Sequence, residues 1–370
     1  MPPTITTLDQ TVARLAPEAR ALFDRLYDFA ISEAQVLPPR AMEGWIAGAF
    51  KYLAATPEGV LEAIRRQPIV HVASRITGQA TLFNAIRSQR PIEAKGEGDL
   101  AKEIEAAKPK CSFCRPLELT PANTFGRIGQ AKTCANVAAY DGYHGLVIFE
   151  DHNPLRFRHG EFAAAEIADL FATAKAWAEK CHAEACDARF FFLMWNCLWK
   201  AGASIIHGHA QMTVGRKFHY GKVDRLRRDA LAYRAQFESN YFDDFVKVHE
   251  ALGLAARYGS VAALAHLTPA KEREIVLVAD RFENPDLPQA LWRALKVYAR
   301  EDVKSYNLAV YMPPLGPPDP AWRGFPCLVH LVDRGDPAAK TADVGAMEMY
   351  ASSVVSADPF KLAEAMRKSA

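Results

Sequence analysis

The apolar positions change period several times along the chain, and each change marks an element. LDQTVARLAPEARALFDRLYDFAISEAQVL places Leu15, Leu22, Leu26 and Phe29 at three- and four-residue spacings, so it predicts helix, with Pro17 as a break or a helix start. TPEGVLEAIRRQ adds a second helix, with Thr56 as N-cap and Pro57 at its first position. From His71 the pattern becomes strand-like. IVHVASRITGQATLFNAIRSQRP reads as strands about a turn at Gly78, followed by the charged stretch EAKGEGDLAKEIEAAKPK. YHGLVIFEDHNPLRF reads as a buried strand ending near His152. EFAAAEIADLFATAKAWAEKCHAEA is an amphipathic helix, and ARFFFLMWN is another strand. Basic helical segments follow residue 220, then the strands REIVLVAD and YNLAVYMPP, a proline-rich loop and a closing helix, DPFKLAEAMRKS. The organisation expected is a helical N-terminal segment (1–70) and two α+β halves (71–220 and 221–370) that share a coarse order of strand, helix and strand.

Composition narrows the class. A chain of 370 residues, half hydrophobic and a quarter charged, has ample material for a core. The net charge of +2 argues against a general nucleic-acid binder and leaves a small anionic ligand open. No basic stretch followed by an apolar one is visible at the start, and no apolar run is long enough to span a bilayer, so no membrane partner is expected. Seven cysteines, thinly spread, do not form a disulfide framework. A reducing, cytoplasmic setting is the expectation.

Candidate chemistry gathers at GASIIHGHAQM, residues 202–212. In an extended segment, alternate residues share a face, so His207, His209 and Gln211 point one way while Gly208 and Ala210 point the other. Upstream, Cys111 and Cys114 form a Cys-x-x-Cys pair with no second pair to complete a tetrahedral metal site, so histidines must supply the remaining ligands. His152 and His207 are the candidates, with His144 competing for the third place. CHAEAC (181–186) offers too few ligands on one helix face and is read as core packing. A metal-held His207 would fix the strand after it and hence His209, whose neutral imidazole is a good nucleophile towards phosphorus. Gly202, Ala203 and Ser204 are small enough to let backbone N–H groups and a hydroxyl approach a phosphate, and Gln211 can hydrogen-bond a phosphate oxygen or fix the ring.

GASIIHGHAQM resembles the His-x-His-x-Gln signature of the histidine-triad superfamily, in particular galactose-1-phosphate uridylyltransferase and its nucleotidyl-phosphorylase relatives. Cys111, Cys114, His152 and His207 match that family's zinc ligands in order, and FEDHNP resembles its strand-ending histidine segment. Asn196, eight residues before Ser204, matches a phosphate-holding asparagine, and Asn136 lies where the family has a base- or ribose-binding one. TLFNAIRSQRP resembles an R-x-x-R-P element that places Arg87 and Arg90 on phosphates. GAMEMY makes Glu348 the counterpart of a hexose-contacting glutamate. The resemblance covers most of residues 75–370.

What the resemblance implies is an α+β fold with two histidine-triad-like halves, each an antiparallel sheet with flanking helices, a structural zinc and a possible homodimer. The implied reaction moves a nucleoside monophosphate, UMP by the family's name, between a nucleotide sugar and a phosphorylated small-molecule acceptor through a nucleotidyl-His209. Departures bear on the acceptor: Val354 stands where a glutamine is expected, Met347 replaces an aromatic, and VHLVDRGD offers only His330 towards a second metal. A nucleotide-sugar or dinucleotide phosphorylase using inorganic phosphate therefore stays open, as does a non-catalytic nucleotide-binding protein on the same scaffold. A hydrolase is less expected, because Gln211 stands where those relatives carry a third histidine.

Overall fold

A computed structural model describes residues 2–89, 99–129 and 132–369. Near the N-terminus, β1 (Tyr27–Gln35), β2 (Arg66–Ser74) and β3 (Ala80–Phe83) form an antiparallel meander. β4 (Thr133–Ala135), β5 (Tyr143–Ile148), β6 (Ala188–Cys197) and β7 (His209–Arg216) follow. Then come β8 (Ala255–Tyr258), β9 (Val261–Ala265), β10 (Glu272–Ala279), β11 (Tyr306–Tyr311) and β12 (Cys327–Asp333). A last strand, β13 (Ser353–Val355), returns to the N-terminal sheet and pairs in parallel with β3. The architecture is α+β, as expected.

The helical reading of the first seventy residues fails at Leu26. The helix Pro17–Leu26 gives way at once to β1, which pairs with β2 along its whole length from Tyr27–Ser74 to Gln35–Arg66. Tyr27, Phe29 and Ile31 also fit a period of two, and the long partner strand decides between the two periods. β2 likewise starts at Arg66, before the His71 onset that its pattern suggests. Elsewhere the periodicities hold. The amphipathic segment is the helix Ala164–Glu184, Thr56 caps the helix Pro57–Arg65, and Gly78 turns β2 into β3 at φ +68°. CHAEAC divides: Cys181 is buried in the core, whereas Cys186 is exposed.

β4 to β12 make one nine-stranded antiparallel sheet in the order β4-β5-β7-β6-β11-β12-β10-β9-β8. The strands of the two halves meet where β6 pairs with β11, Leu193 opposite Val310 through Cys197 opposite Tyr306. Directly paired residues share a face. Phe191, Leu193, Trp195 and Cys197 point to the face covered by the helices Ala164–Glu184 and Leu287–Arg300, and they are buried. The opposite face carries polar groups across five strands: His144, His209 and Gln211, then Asn196, Asn307 and His330. The sheet thus separates a dry core from a polar working face.

The second half is tied to the N-terminal segment by His249, on the helix Tyr241–Ala251. The ring is fully buried. It donates from Nδ1 to the Phe245 carbonyl (2.8 Å), accepts the Leu267 N–H at Nε2 (3.3 Å) and meets Tyr27 edge-on. Burial, with His266 second, pushes its pKa down to about 3. An unfolded histidine titrates near about 6.5, so below that pH the unfolded chain takes up a proton that the folded chain refuses. Stability is therefore expected to fall as pH drops from about 6.5 towards 4. His249→Gln should flatten that slope by up to about 1.4 kcal/mol per pH unit in denaturant titrations. An unchanged slope would place the titration elsewhere.

Candidate functional site

Cys111, Cys114, His152 and His207 converge, with their four ligand atoms all within 4.8 Å of one another. They come from three places: the turn around Ser112–Cys114, the loop after β5, and the residues just before β7. The Cys114 sulfur lies 3.5 Å from Nδ1 of both His152 and His207, and the Cys111 sulfur lies 3.5 Å from His207 Nδ1. A tetrahedral ion with bonds of about 2.3 Å to sulfur and about 2.05 Å to nitrogen requires a sulfur–nitrogen edge of about 3.6 Å. The cluster has those dimensions, and it could hold a metal with no open coordination position. The outer nitrogens fit as well: His207 Nε2 donates to the Phe149 carbonyl (2.8 Å), and His152 Nε2 donates to the Ile104 carbonyl (3.0 Å). A carbonyl only accepts, so both protons sit on Nε2 and both Nδ1 lone pairs face the centre. Burial pushes the pKa of His207 down to about 4, which keeps it in the neutral, ligating form.

The same logic fixes His209. Its Nδ1–H donates to the His207 carbonyl (2.7 Å), so Nε2 carries the lone pair, and among the described residues Nε2 has no hydrogen-bond partner. Phe113, between the two cysteines, packs edge-on against the ring with centroids 5.1 Å apart. Burial lowers the pKa of His209 and favours the neutral base. Gly208 makes the tight passage between the two histidines possible. A Cβ there would stand 2.7 Å from the Phe149 ring, and the Phe149 backbone binds both the Gly208 carbonyl and the His207 ring.

His144 lies outside the metal cluster and serves Gln211 instead. The Tyr140 N–H donates to His144 Nδ1 (3.0 Å), which leaves the ring proton on Nε2, 3.1 Å from Gln211 Oε1. Gln211 is thereby held by its oxygen, with its NH2 end left over as a donor. Asn136 Nδ2 sits 3.2 Å from the same histidine nitrogen, at the rim of this group. On the next strand, one step beyond the last ladder pair (Trp195–Ala210), the register sets Asn196 opposite His209. The 198–204 loop that joins β6 to the HGH segment is tightly wound. Leu198 adopts φ +67°, a conformation that costs a branched residue on the order of 1–3 kcal/mol, and Gly202 adopts φ +93°. Ala203 is buried, while Gly202 and Ser204 are exposed at the loop surface.

Two residues expected at the site lie elsewhere in the chain's own fold. Glu348 is 3.9 Å from Lys271 beside β10, four strands from β7, or about 19 Å at normal strand spacing. Burial opposes its charge, but the Gly345 N–H, Lys271 and Arg87 hold its carboxyl below the usual range, which places Arg87 in the same neighbourhood. Arg90 lies outside the described residues. Sequence reasoning missed Phe113 and Tyr140, whose contacts depend on how two loops fold back on the sheet, and Asn307, whose contact depends on strand register. The pairing of His144 with Gln211 had one signal, a polar residue inside the apolar run YHGLVI.

Two outcomes follow from the geometry. Cys111→Ala should lose bound metal, measured by elemental mass spectrometry, and lower the melting temperature by on the order of 5 °C or more. Gly208→Ala should push Phe149 away and cost about 1–3 kcal/mol, with loss of metal in parallel. Full metal content in Gly208→Ala would show that the Phe149 carbonyl does not hold His207.

No protein-family model and no curated protein matches the chain. Solved structures do. An ADP-glucose phosphorylase from Arabidopsis thaliana superposes with a TM-score of 0.58 at 16% identity, covering 79% of this chain and 96% of that one. A GalT-like protein from Arabidopsis thaliana gives 0.55 at 17% identity, covering 70% and 91%. A uridylyltransferase gives 0.55 at 15% identity, covering 81% and 98%. The chain therefore shares the fold of these solved structures.

Proposed function

We propose that the protein is a nucleotidyl-transferring enzyme that works through His209. The observation that carries this reading is the lock on the ring: Nδ1–H bound to the His207 carbonyl and Nε2 left with its lone pair. In the first step Nε2 attacks the α-phosphorus of a nucleotide sugar. The nitrogen–phosphorus bond forms, the bond to the bridging oxygen breaks, and a sugar 1-phosphate leaves. The ring becomes cationic, and its Nδ1–H bond to a carbonyl oxygen strengthens as that charge develops. A phosphate oxygen of the acceptor, already ionised, then attacks phosphorus and releases His209, so no general base is needed. Gln211 and Asn196 present amide donors to the phosphoryl oxygens. Ser204, with the small residues Gly202 and Ala203, lines their approach.

Zinc is the metal proposed for the cluster, because two thiols and two imidazoles in a closed tetrahedron suit it. Cys111, Cys114, His152 and His207 would hold it, and its contribution would be structural, anchoring the residue whose carbonyl orients His209. The folds that superpose on this chain include a uridylyltransferase and an ADP-glucose phosphorylase, which supports a reaction of this kind.

A second reading, a phosphorylase with inorganic phosphate as acceptor, is favoured by one observation. Glu348, on the short helix Ala346–Tyr350 beside Lys271, and Arg87, in the turn Ala85–Gln89, lie away from His209, and Val354 stands where a sugar-contacting glutamine is expected. A homodimer belongs to the transferase reading, because Glu348 could reach a sugar at His209 only from a second copy. Among the described residues no helix is long and apolar enough to cross a membrane, and the cysteines are free thiols, in keeping with the proposed cytoplasmic setting.

Brief incubation with nucleotide sugars and dinucleotides, followed by intact-protein mass spectrometry, tests the reading. Wild type should gain one nucleoside monophosphate. His209→Ala should gain none while keeping its metal and fold. Transfer at the wild-type rate by His209→Ala would refute the mechanism. Discharge of the adduct by sugar 1-phosphate or by inorganic phosphate separates the two acceptors.

A further inference from the structure

Asn307 lies on β11, directly opposite Asn196 at the seam between the two halves. Its Nδ2 donates to Asn196 Oδ1 (2.7 Å) and to the Ala201 carbonyl (2.8 Å), while its Oδ1 accepts from the Arg334 guanidinium. The orientation of this carboxamide is not ambiguous. A carbonyl only accepts and a guanidinium only donates, so a reversed amide would oppose like ends at both contacts. Arg334 is itself gripped by both oxygens of Asp343, at 2.6 and 2.8 Å. The chain of contacts runs from Asp343 through Arg334 and Asn307 to two places in the first half.

Each place matters for the proposed chemistry. Asn196 is tied by its oxygen, so its NH2 end is the part left to face a ligand, and among the described residues that end has no partner. Ala201 precedes Gly202, so the bond to its carbonyl pins the wound loop that carries Gly202, Ala203 and Ser204. The same loop is also clamped from the second half at Trp199, whose indole N–H donates to the Pro337 carbonyl (3.1 Å), and at Lys200, which donates to the Ala339 carbonyl (3.1 Å). We propose that Asn307 is a positioning residue for nucleotidyl transfer, orienting the Asn196 amide and the 202–204 loop towards the substrate phosphates. This rests on the reading of His209 as nucleophile.

The test follows the rate at which the nucleotidyl adduct forms in a single turnover, for Asn307→Ala, Asn196→Ala and the double variant. Loss of one preorganised donor costs on the order of 10²-fold, and loss of its orientation alone is expected to cost about tenfold. Asn307→Ala should therefore slow adduct formation about tenfold. The double variant should be slowed by less than the product of the two single effects, because Asn307 acts in part through Asn196; two independent structural losses would instead multiply. Asn307→Asp offers acceptors only and would draw the NH2 end of Asn196 back towards itself, so it should be at least as slow as Asn307→Ala. Arg334→Gln removes the guanidinium that fixes the Asn307 amide, together with its pair to Asp343, and should give a smaller slowing that shrinks in the Asn196→Ala background. This variant decides the matter if Asn307→Ala loses its fold. Wild-type rates in the Asn307 variants, or effects that multiply with Asn196→Ala, would overturn the proposal while leaving the His209 mechanism standing. An absence of adduct in wild type with every donor would refute the mechanism, and the role of Asn307 with it.

Discussion

A single backbone carbonyl, that of His207, joins the two parts of the site. The side chain of the same residue points into the Cys111–Cys114–His152 cluster, and its carbonyl accepts the Nδ1 proton of His209. One residue therefore belongs both to a cluster through which a metal could cross-link distant segments and to the hydrogen bond that selects the His209 tautomer. Imidazole tautomers in water differ little in energy, so a single bond of this kind, worth about 1 kcal/mol, is enough to decide which nitrogen is left bare. The glycine between the histidines lets the chain run close under Phe149, which closes the arrangement from the other side.

Around that point the protein fixes the direction of its amides. Gln211 is held by its oxygen through His144, and Asn196 by its oxygen through Asn307. Both side chains are consequently left with donors, on the face of the sheet that also carries His209. Amide donors aimed outward in this way are what the proposed transfer of a phosphoryl group would draw on. The two anchors come from opposite directions: His144 from the neighbouring strand of the same half, and Asn307 from the other half across the β6–β11 seam.

The cysteine pair, the HGH segment and the residues around them were readable from the sequence because their spacing is local or their chemistry is restrictive. Two thiols and two imidazoles are soft and borderline ligands, and few ions other than zinc suit that set. Period-two and helical-period patterns also gave most strands and helices, since apolar residues had no choice but to face the core. What was not readable was anything set by register. Nothing in DFAISEAQV says that β2 will pair with it, and nothing in YNLAVY says that Asn307 will lie opposite Asn196. Glu348 shows the converse. Its local context resembles a sugar-binding segment, yet the fold of one chain keeps it four strands from His209.

The parallel pairing of β13 with β3 bears on how the molecule is made. Ile5 also donates its N–H to Asp358, 353 residues later, at 3.1 Å. During synthesis the N-terminal meander therefore emerges long before the strand that completes its sheet. β3 must wait with one edge unpaired while the nine-stranded sheet is still being translated. The order of manufacture is thus opposed to the order of closure. A segment exposed to premature association in the nascent chain is one that emerges well before β13 and is sealed only when β13 arrives.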